Sequence, residues 1–307
     1  MEGVNTMSQT AKVAQPSRSG VKSGLSARRR AYDSGLRGLV WLCAGLTCAL
    51  LLFLIGYICY RGLPHLSWEF LTTQESLLRG TLGIRPAIYN TLYVIGVTLV
   101  IALPLGVGAA VYLTEYATNH RLVTGIEFAT ETLSGIPSIL YALVGYLAFS
   151  MTLGLGYSLL AASLTLAMMN LPTIIRTTQE SLKTVPQGYR EGALGLGSGK
   201  WHMIRTIVLP GSIDGIVTGC ILAVGRIIGE SAVLLYVGGM GNSMNDFFAS
   251  VDNFTHSSGA TLTVQLYVFA KERAMMDPAF AVAVVLLVLS LVINLAAKLA
   301  GRKLKQK

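Results

Sequence analysis

The chain has 307 residues, of which 52% are hydrophobic and only 13% charged. Soluble globular domains carry about a quarter of their residues as charged groups, so this composition excludes an ordinary soluble enzyme and points to a membrane. The formal charge of +9 would suit a nucleic-acid binder, but the excess flanks apolar runs and no aromatic-basic platform accompanies it. Membrane lipid, and no nucleic acid, is therefore the expected surrounding.

Residues 1–35 are rich in Ser, Lys, Arg and Gly, the composition of a disordered basic tail, and Met7 offers a second start. About 20 apolar residues suffice to cross the hydrocarbon layer. Six such runs follow: Gly38–Tyr60, Asn90–Tyr112, Thr132–Gly156, Tyr157–Ile175, Ile216–Val237 and Ala279–Ala297. Residues 36–60 read as an uncleaved anchor, because the 23 uncharged residues of the first run exceed a signal-peptide core and no A-x-A site follows. The third and fourth runs abut at Gly154-Leu155-Gly156, a tight turn suited to a helix hairpin.

Orientation follows from the cations. Eighteen of the 24 Lys and Arg lie in the two tails and in the second and fourth loops. Five lie on the other side (Arg61, Arg79, Arg85, Lys271 and Arg273), and Arg226 lies within a run. Both termini are accordingly expected in the cytoplasm, with 298–307 as a second basic tail. Arg61–Ile88 and Gly238–Asp277 then face outward; the latter holds Thr261–Ala274, with the period of a short surface helix, and Asp277-Pro278 opens the last span. Cys43, Cys48, Cys59 and Cys220 lie in spans without a CxxC pair or a nearby His, so they read as small buried hydrophobes and no metal site is expected.

The polar segment Arg176–Thr206 is longer than a helix connection needs. Pro186 suits the first turn of a short helix that Gly197 can end. Gly195-Leu-Gly-Ser-Gly199-Lys200 imitates a phosphate loop, but Leu194 and Trp201 stand where that motif needs Gly and Ser or Thr. No cofactor is expected on this chain, and any ATP must be hydrolysed elsewhere.

Arg226 and Glu230 stand four residues apart in the fifth run, on one face if the helix is continuous. Charges in a membrane are expensive; they mark either a functional path or an ion pair between helices. Arg226 is the best anion contact in the membrane region, since a guanidinium stays charged and grips oxyanions bidentately. Glu230 either holds Arg226 until cargo arrives or repels a fully deprotonated anion. Glu127 and Glu131 share a face at the start of the third run, ahead of Gly135-Ile-Pro137-Ser138. Pro137 interrupts the helix ladder, which either opens carbonyls to a substrate pathway beside Ser138 or is a packing kink.

The polar segment resembles the signature of ABC-importer permeases: E-A-A, three residues, G, nine residues, then I-x-L-P. Glu191, Ala193, Gly197, Ile207, Leu209 and Pro210 stand at that spacing, with Gly192 where the family usually has Ala. More narrowly, the chain is similar to PstA-type permeases of phosphate transporters over about residues 86 to 297. The likeness runs through Asn90–Tyr93, Ala102–Gly106, Tyr112–Tyr116, Gly135–Ser138, Pro172–Thr178, Gly225–Glu230 and Val264–Tyr267.

The resemblance implies an all-α type I (MetI-like) permease fold of six transmembrane helices in the bacterial cytoplasmic membrane. Its permease domain spans 86–297, with 176–210 as a coupling loop that seats in a groove of an ATP-binding subunit. It also implies inorganic phosphate as cargo, with Arg226 and Glu230 on its path, and a transport rather than an enzymatic role. The implied partners are a second, PstC-type permease subunit, a dimer of ATP-binding subunits holding ATP and Mg, and an extracytoplasmic phosphate-binding protein. Another oxyanion (sulfate, molybdate or phosphonate) stays open as cargo. An ion-gradient-driven carrier would show inverted repeats, and the sequence has no long internal repeat.

Overall fold

A computed structural model describes residues 27–76, 81–241, 245, 247 and 249–305. Two compact units are distinguished, Met1–Ile55 and Gly56–Lys307. Helix α1 spans Ala27–Gly62. It starts inside the expected tail, so residues 27–35 are helical; the rest of that tail lies outside the described residues. From Tyr32 to Leu54 the side chains of α1 are exposed, as suits a helix whose surroundings are apolar.

The second unit begins outside with α2 (Trp68–Thr72) and a small antiparallel hairpin, β1 (Gln74–Ser76) and β2 (Thr81–Ile84), in which Gln74 faces Ile84. Helix α3 (Arg85–Val111) follows and runs on into a wider turn, Tyr112–Tyr116. Helix α4 (His120–Ser134) and α5 (Ser138–Gly145, continued by Tyr146–Thr152) come next, then α6 (Leu159–Thr184). The cytoplasmic segment holds α7 (Gln187–Gly195), α8 (Lys200–Met203, continued by Ile204–Val208) and α9 (Leu209–Gly211). Helix α10 (Ile213–Gly229) returns into the membrane, α11 (Val251–His256) and α12 (Leu262–Tyr267, continued to Glu272) lie outside, and α13 (Met276–Lys305) closes the chain.

Among the described residues four helices are long and apolar enough to span a bilayer, and the total is six when each of two bent pairs is taken as one span. The bends correct the expected boundaries. The third run is not one helix from Thr132: α4 and the α5 segment meet at 101°. Pro137 has no N–H to donate and sits at φ −58°, ψ 139°, outside helical geometry. The fifth run also breaks, at Glu230, where ψ is 124°. The fourth extends past Ile175 to Thr184, since Arg176 and Glu180 form an i,i+4 pair on its exposed face. What looked like the start of the polar loop is thus the end of α6.

Thr261–Ala274 is helical as expected but not a surface helix. Leu262 and Phe269 are fully buried with Phe70, Ile84, Ala87 and Ala281, because the two external segments fold onto each other. Cys43 and Cys48 are exposed on α1 rather than buried, while Cys59 and Cys220 are half-buried.

The membrane core is shared by α3, α5, α6 and α10: Val94, Tyr141, Leu166, Met169, Val224 and Ile227 lie in one cluster. Helices in lipid gain little by burying apolar area and associate through close backbone approach at small residues. Gly215 and Gly219 bring α10 against α6, where a β-carbon would overlap Ser181 and the Thr177 hydroxyl respectively. Gly219→Val should therefore lower stability by roughly 1–3 kcal/mol through overpacking. Gly96→Val should be near neutral, because a β-carbon there meets nothing within 4 Å. Thermal denaturation of the detergent-solubilised protein, followed by size-exclusion chromatography, checks the pair.

Candidate functional site

Two regions carry the residues singled out in the sequence. The first is the cytoplasmic face. Pro186 is the N-cap of α7, with ψ 139°, and the helix ends in a Schellman motif. Ser198 N donates to Ala193 O (3.1 Å) and Gly197 N to Leu194 O (3.0 Å), while Gly197 has φ +83°. A left-handed residue is what that closure requires, and Gly reaches it without the β-carbon clash. Gly197 is thus a geometric requirement of the signature.

The two faces of α7 differ. Ala193 is buried among Leu182, Val185, Met203, Ile204 and Val208, which ties the helix to the bundle. Tyr189, Leu194, Leu196 and Trp201 are exposed, Leu196 to 91%. Glu191 is exposed and makes no hydrogen bond or ion pair among the described residues. Leu209 and Pro210 form the elbow between this segment and α10, a bend of 64°. Ser181 Oγ secures the bend by donating to Ser212 O at 3.0 Å.

Gly192, the departure from the signature, has open space where a β-carbon would stand. Gly192→Ala should stabilise α7 by roughly 0.5–1 kcal/mol. Gly197→Ala should cost roughly 1–2 kcal/mol, because an L residue is strained in the left-handed region. Amide hydrogen exchange across residues 187–198 reads both changes, slower in the first variant and faster in the second.

The second region is the break in the fifth span. The expected meeting of Arg226 and Glu230 on one helical face does not occur, since the backbone leaves the helix after Gly229 and the i,i+4 relation is lost. Glu230 Oε1 instead accepts hydrogen bonds from Ala232 N (3.0 Å) and Val233 N (3.4 Å). The carboxylate therefore caps the next helical piece, Leu234–Gly238, as an anion suits a helix start. Thr263 Oγ1 donates to Ile228 O, one of the carbonyls near the end of α10.

Arg226 is left half-buried with no hydrogen bond or ion pair among the described residues. The Tyr141 hydroxyl donates to Leu133 O (2.8 Å), so it bridges the bend at Pro137. Ser138, half-buried, opens α5 one turn before Tyr141, and α5 packs against the segment after Glu230. The two breaks thus lie in neighbouring elements. Tyr141 and Thr263 carry no sequence signal, because each matters only through a contact made across the bundle.

Glu127 and Glu131 face α6, where Lys183 pairs with Glu127 (3.3 Å) and Arg176 with Glu131 (3.6 Å) around a cavity of about 400 Å³. They join α4 to α6 rather than lining a path alone. Among the described residues no group of three or more His, Cys, Asp or Glu could hold a metal ion.

Glu230→Gln keeps an acceptor oxygen at the cap and should retain most transport activity. Glu230→Ala should lose about 1 kcal/mol of stability with the cap. Transport assays paired with thermal midpoints distinguish this from a cargo contact, for which both variants would fail alike.

The two breaks and the exposed helix α7 belong to an otherwise apolar helical bundle. Residues 102–306 match the binding-protein-dependent transport system inner membrane component family, and the chain belongs to it as a multi-pass membrane protein. Solved structures agree in fold. A bacterial ABC transporter importing the acidic polysaccharide alginate matches with a TM-score of 0.62 at 16% identity, covering 89% of this chain and 99% of that one. The MetNI methionine ABC transporter matches with a TM-score of 0.54 at 20% identity, covering 74% and 95%.

Within the family the chain is a PstA-type ABC permease. It is 33% identical to phosphate transport system permease protein PstA 1 of Mycobacterium tuberculosis, over 92% of this chain and 93% of the relative. The PstA of Haemophilus influenzae is 32% identical, over 67% of this chain and 69% of its own. A probable ABC transporter permease of Bacillus subtilis, YqgI, is 34% identical over 91% of this chain and 98% of the relative.

Proposed function

We propose that this chain is the permease subunit of an ATP-driven importer of inorganic phosphate. Its partners are a second, PstC-type permease subunit, a dimer of ATP-binding subunits that holds ATP and Mg, and an extracytoplasmic phosphate-binding protein. The observation that carries the cargo assignment is Arg226: a guanidinium on a membrane helix with no carboxylate claiming it. A charge within the membrane is costly, and Arg226, in the last turn of α10, has no ion pair among the described residues to offset that cost. An oxyanion is the natural second half of such a group, because the planar fork matches two of its oxygens. The names of the PstA relatives support phosphate among the oxyanions.

The coupling assignment rests on α7. Its inner face is fixed by Ala193, while its outer face offers Tyr189, Leu194 and Leu196 with an unpaired Glu191 beside them. This is the composition of a docking surface, apolar with one charge for register. Closure of the ATPase pair on ATP would press on α7, and alternating access of the Arg226 region would follow. Ser138, at the start of α5, and the bend at Pro137 belong to the same pathway.

Reconstitution with the partner proteins in vesicles tests the reading. Arg226→Gln loses a charge-assisted contact of about 2 kcal/mol, so phosphate uptake should fall roughly thirtyfold in kcat/KM while ATP binding persists. Excess sulfate, molybdate or phosphonate should leave uptake of labelled phosphate unchanged. Competition by one of them at equal concentration would transfer the assignment to that anion. Uptake by this chain alone, without ATP, would replace the importer with a gradient-driven carrier.

A further inference from the structure

On the cytoplasmic side the most buried ion pair among the described residues joins Arg190 of α7 to Glu115 in the turn that ends α3. The two side chains are 12% and 7% exposed and stand 3.0 Å apart. Arg190 donates from Nε (3.1 Å) and NH2 (3.0 Å) to the same carboxylate oxygen of Glu115. NH2 also donates to Leu182 O at 2.8 Å, and NH1 donates to Val185 O. Both carbonyls lie at the C-terminal end of α6, where the dipole is negative; Leu182 O also accepts from Val185 N (3.3 Å). One guanidinium therefore holds three elements: α7, which carries it, α3 through the carboxylate, and α6 through its last carbonyls.

The neighbouring ion pairs of this face are of another kind. Arg176 with Glu131 and Glu180, and Lys183 with Glu127, are 40% exposed or more on every side chain, where water screens them. Ala193 adds an apolar contact, which resists separation but not sliding. A buried pair with a forked donor fixes direction as well as distance, and removing one partner strands the other charge. The load it receives has a clear route onward. Helices α3 and α6 form the most extensively packed pair in the chain, and α6 packs on α10, which carries Arg226.

We propose that Arg190 and Glu115 form the joint through which displacement of α7 reaches α3 and α6. They are positioning residues that touch neither cargo nor nucleotide. The proposal rests on α7 being the docking element of the ATPase. Without the joint, α7 follows the motor while the bundle lags, so ATP is consumed with less transport.

The test uses the assembled transporter in proteoliposomes with its binding protein, measuring uptake of labelled inorganic phosphate and ATP hydrolysis in the same vesicles. Each variant also carries Gly188→Cys, an exposed position on α7 where a side chain meets nothing within 4 Å, from which a crosslink to the ATPase subunit reports docking. Glu115→Gln keeps size and an acceptor oxygen but removes the charge. Arg190→Lys keeps the charge but cannot bond carboxylate and both carbonyls at once. Both should assemble, crosslink and hydrolyse ATP, with phosphate moved per ATP reduced at least fivefold for Glu115→Gln and by a smaller factor for Arg190→Lys. An unchanged ratio in intact, crosslinked complexes would overturn the proposal. If Glu115→Gln fails to assemble, the ratio is read on Arg190→Lys alone, and failure of both to assemble would assign the pair to folding and overturn it too. Absence of the crosslink in an otherwise wild-type complex would instead defeat the docking of α7 itself.

Discussion

Inside a bilayer no backbone N–H or C=O can be left to water, and this constraint decides where such a chain is permitted to break. Two spans break here, and each break is serviced by a nearby polar group. At Pro137 the proline donates nothing, and Tyr141 reaches back to Leu133 O. At Glu230 the carboxylate takes the amides of Ala232 and Val233, and Thr263 takes the carbonyl of Ile228. Polar backbone and a free guanidinium thus collect in one part of an otherwise apolar bundle. The proposed path for a charged cargo runs through that concentration.

The fold was legible wherever the physics is local. Six apolar runs follow from composition, and the end of α7 follows from Gly197, because a left-handed closure selects glycine in any context. The basic tails oriented the chain for the same reason, since charge near a membrane edge acts without tertiary help. The two breaks were harder to read. Gly229-Glu230-Ser231 interrupts no hydropathy pattern, and its stability depends on Thr263, 35 residues away. The burial of α12 was hidden likewise, because Phe269 looks half-exposed until Phe70 folds over it.

The candidate site divides along the same line. The short helix α7 and its glycine end were legible in the signature, and Arg226 was legible as a charge within a span, though paired there with Glu230. The placement of Glu230 on one face with Arg226 failed because a continuous helix was assumed, and spacing along a helix means nothing across a break. Arg190 and Glu115 are 75 positions apart, and no periodicity links them. The proposal keeps apart the two tasks the sequence already distinguished: α7 for the motor, and the Arg226 region for cargo.

The most direct measurement of the central claim is a cryo-EM map of the assembled transporter trapped with arsenate, a heavier phosphate analogue. The account predicts anion density within hydrogen-bond reach of the Arg226 guanidinium, with Glu230 still on the amides of Ala232 and Val233. Density elsewhere, with Arg226 held by a carboxylate of a partner subunit, would contradict it.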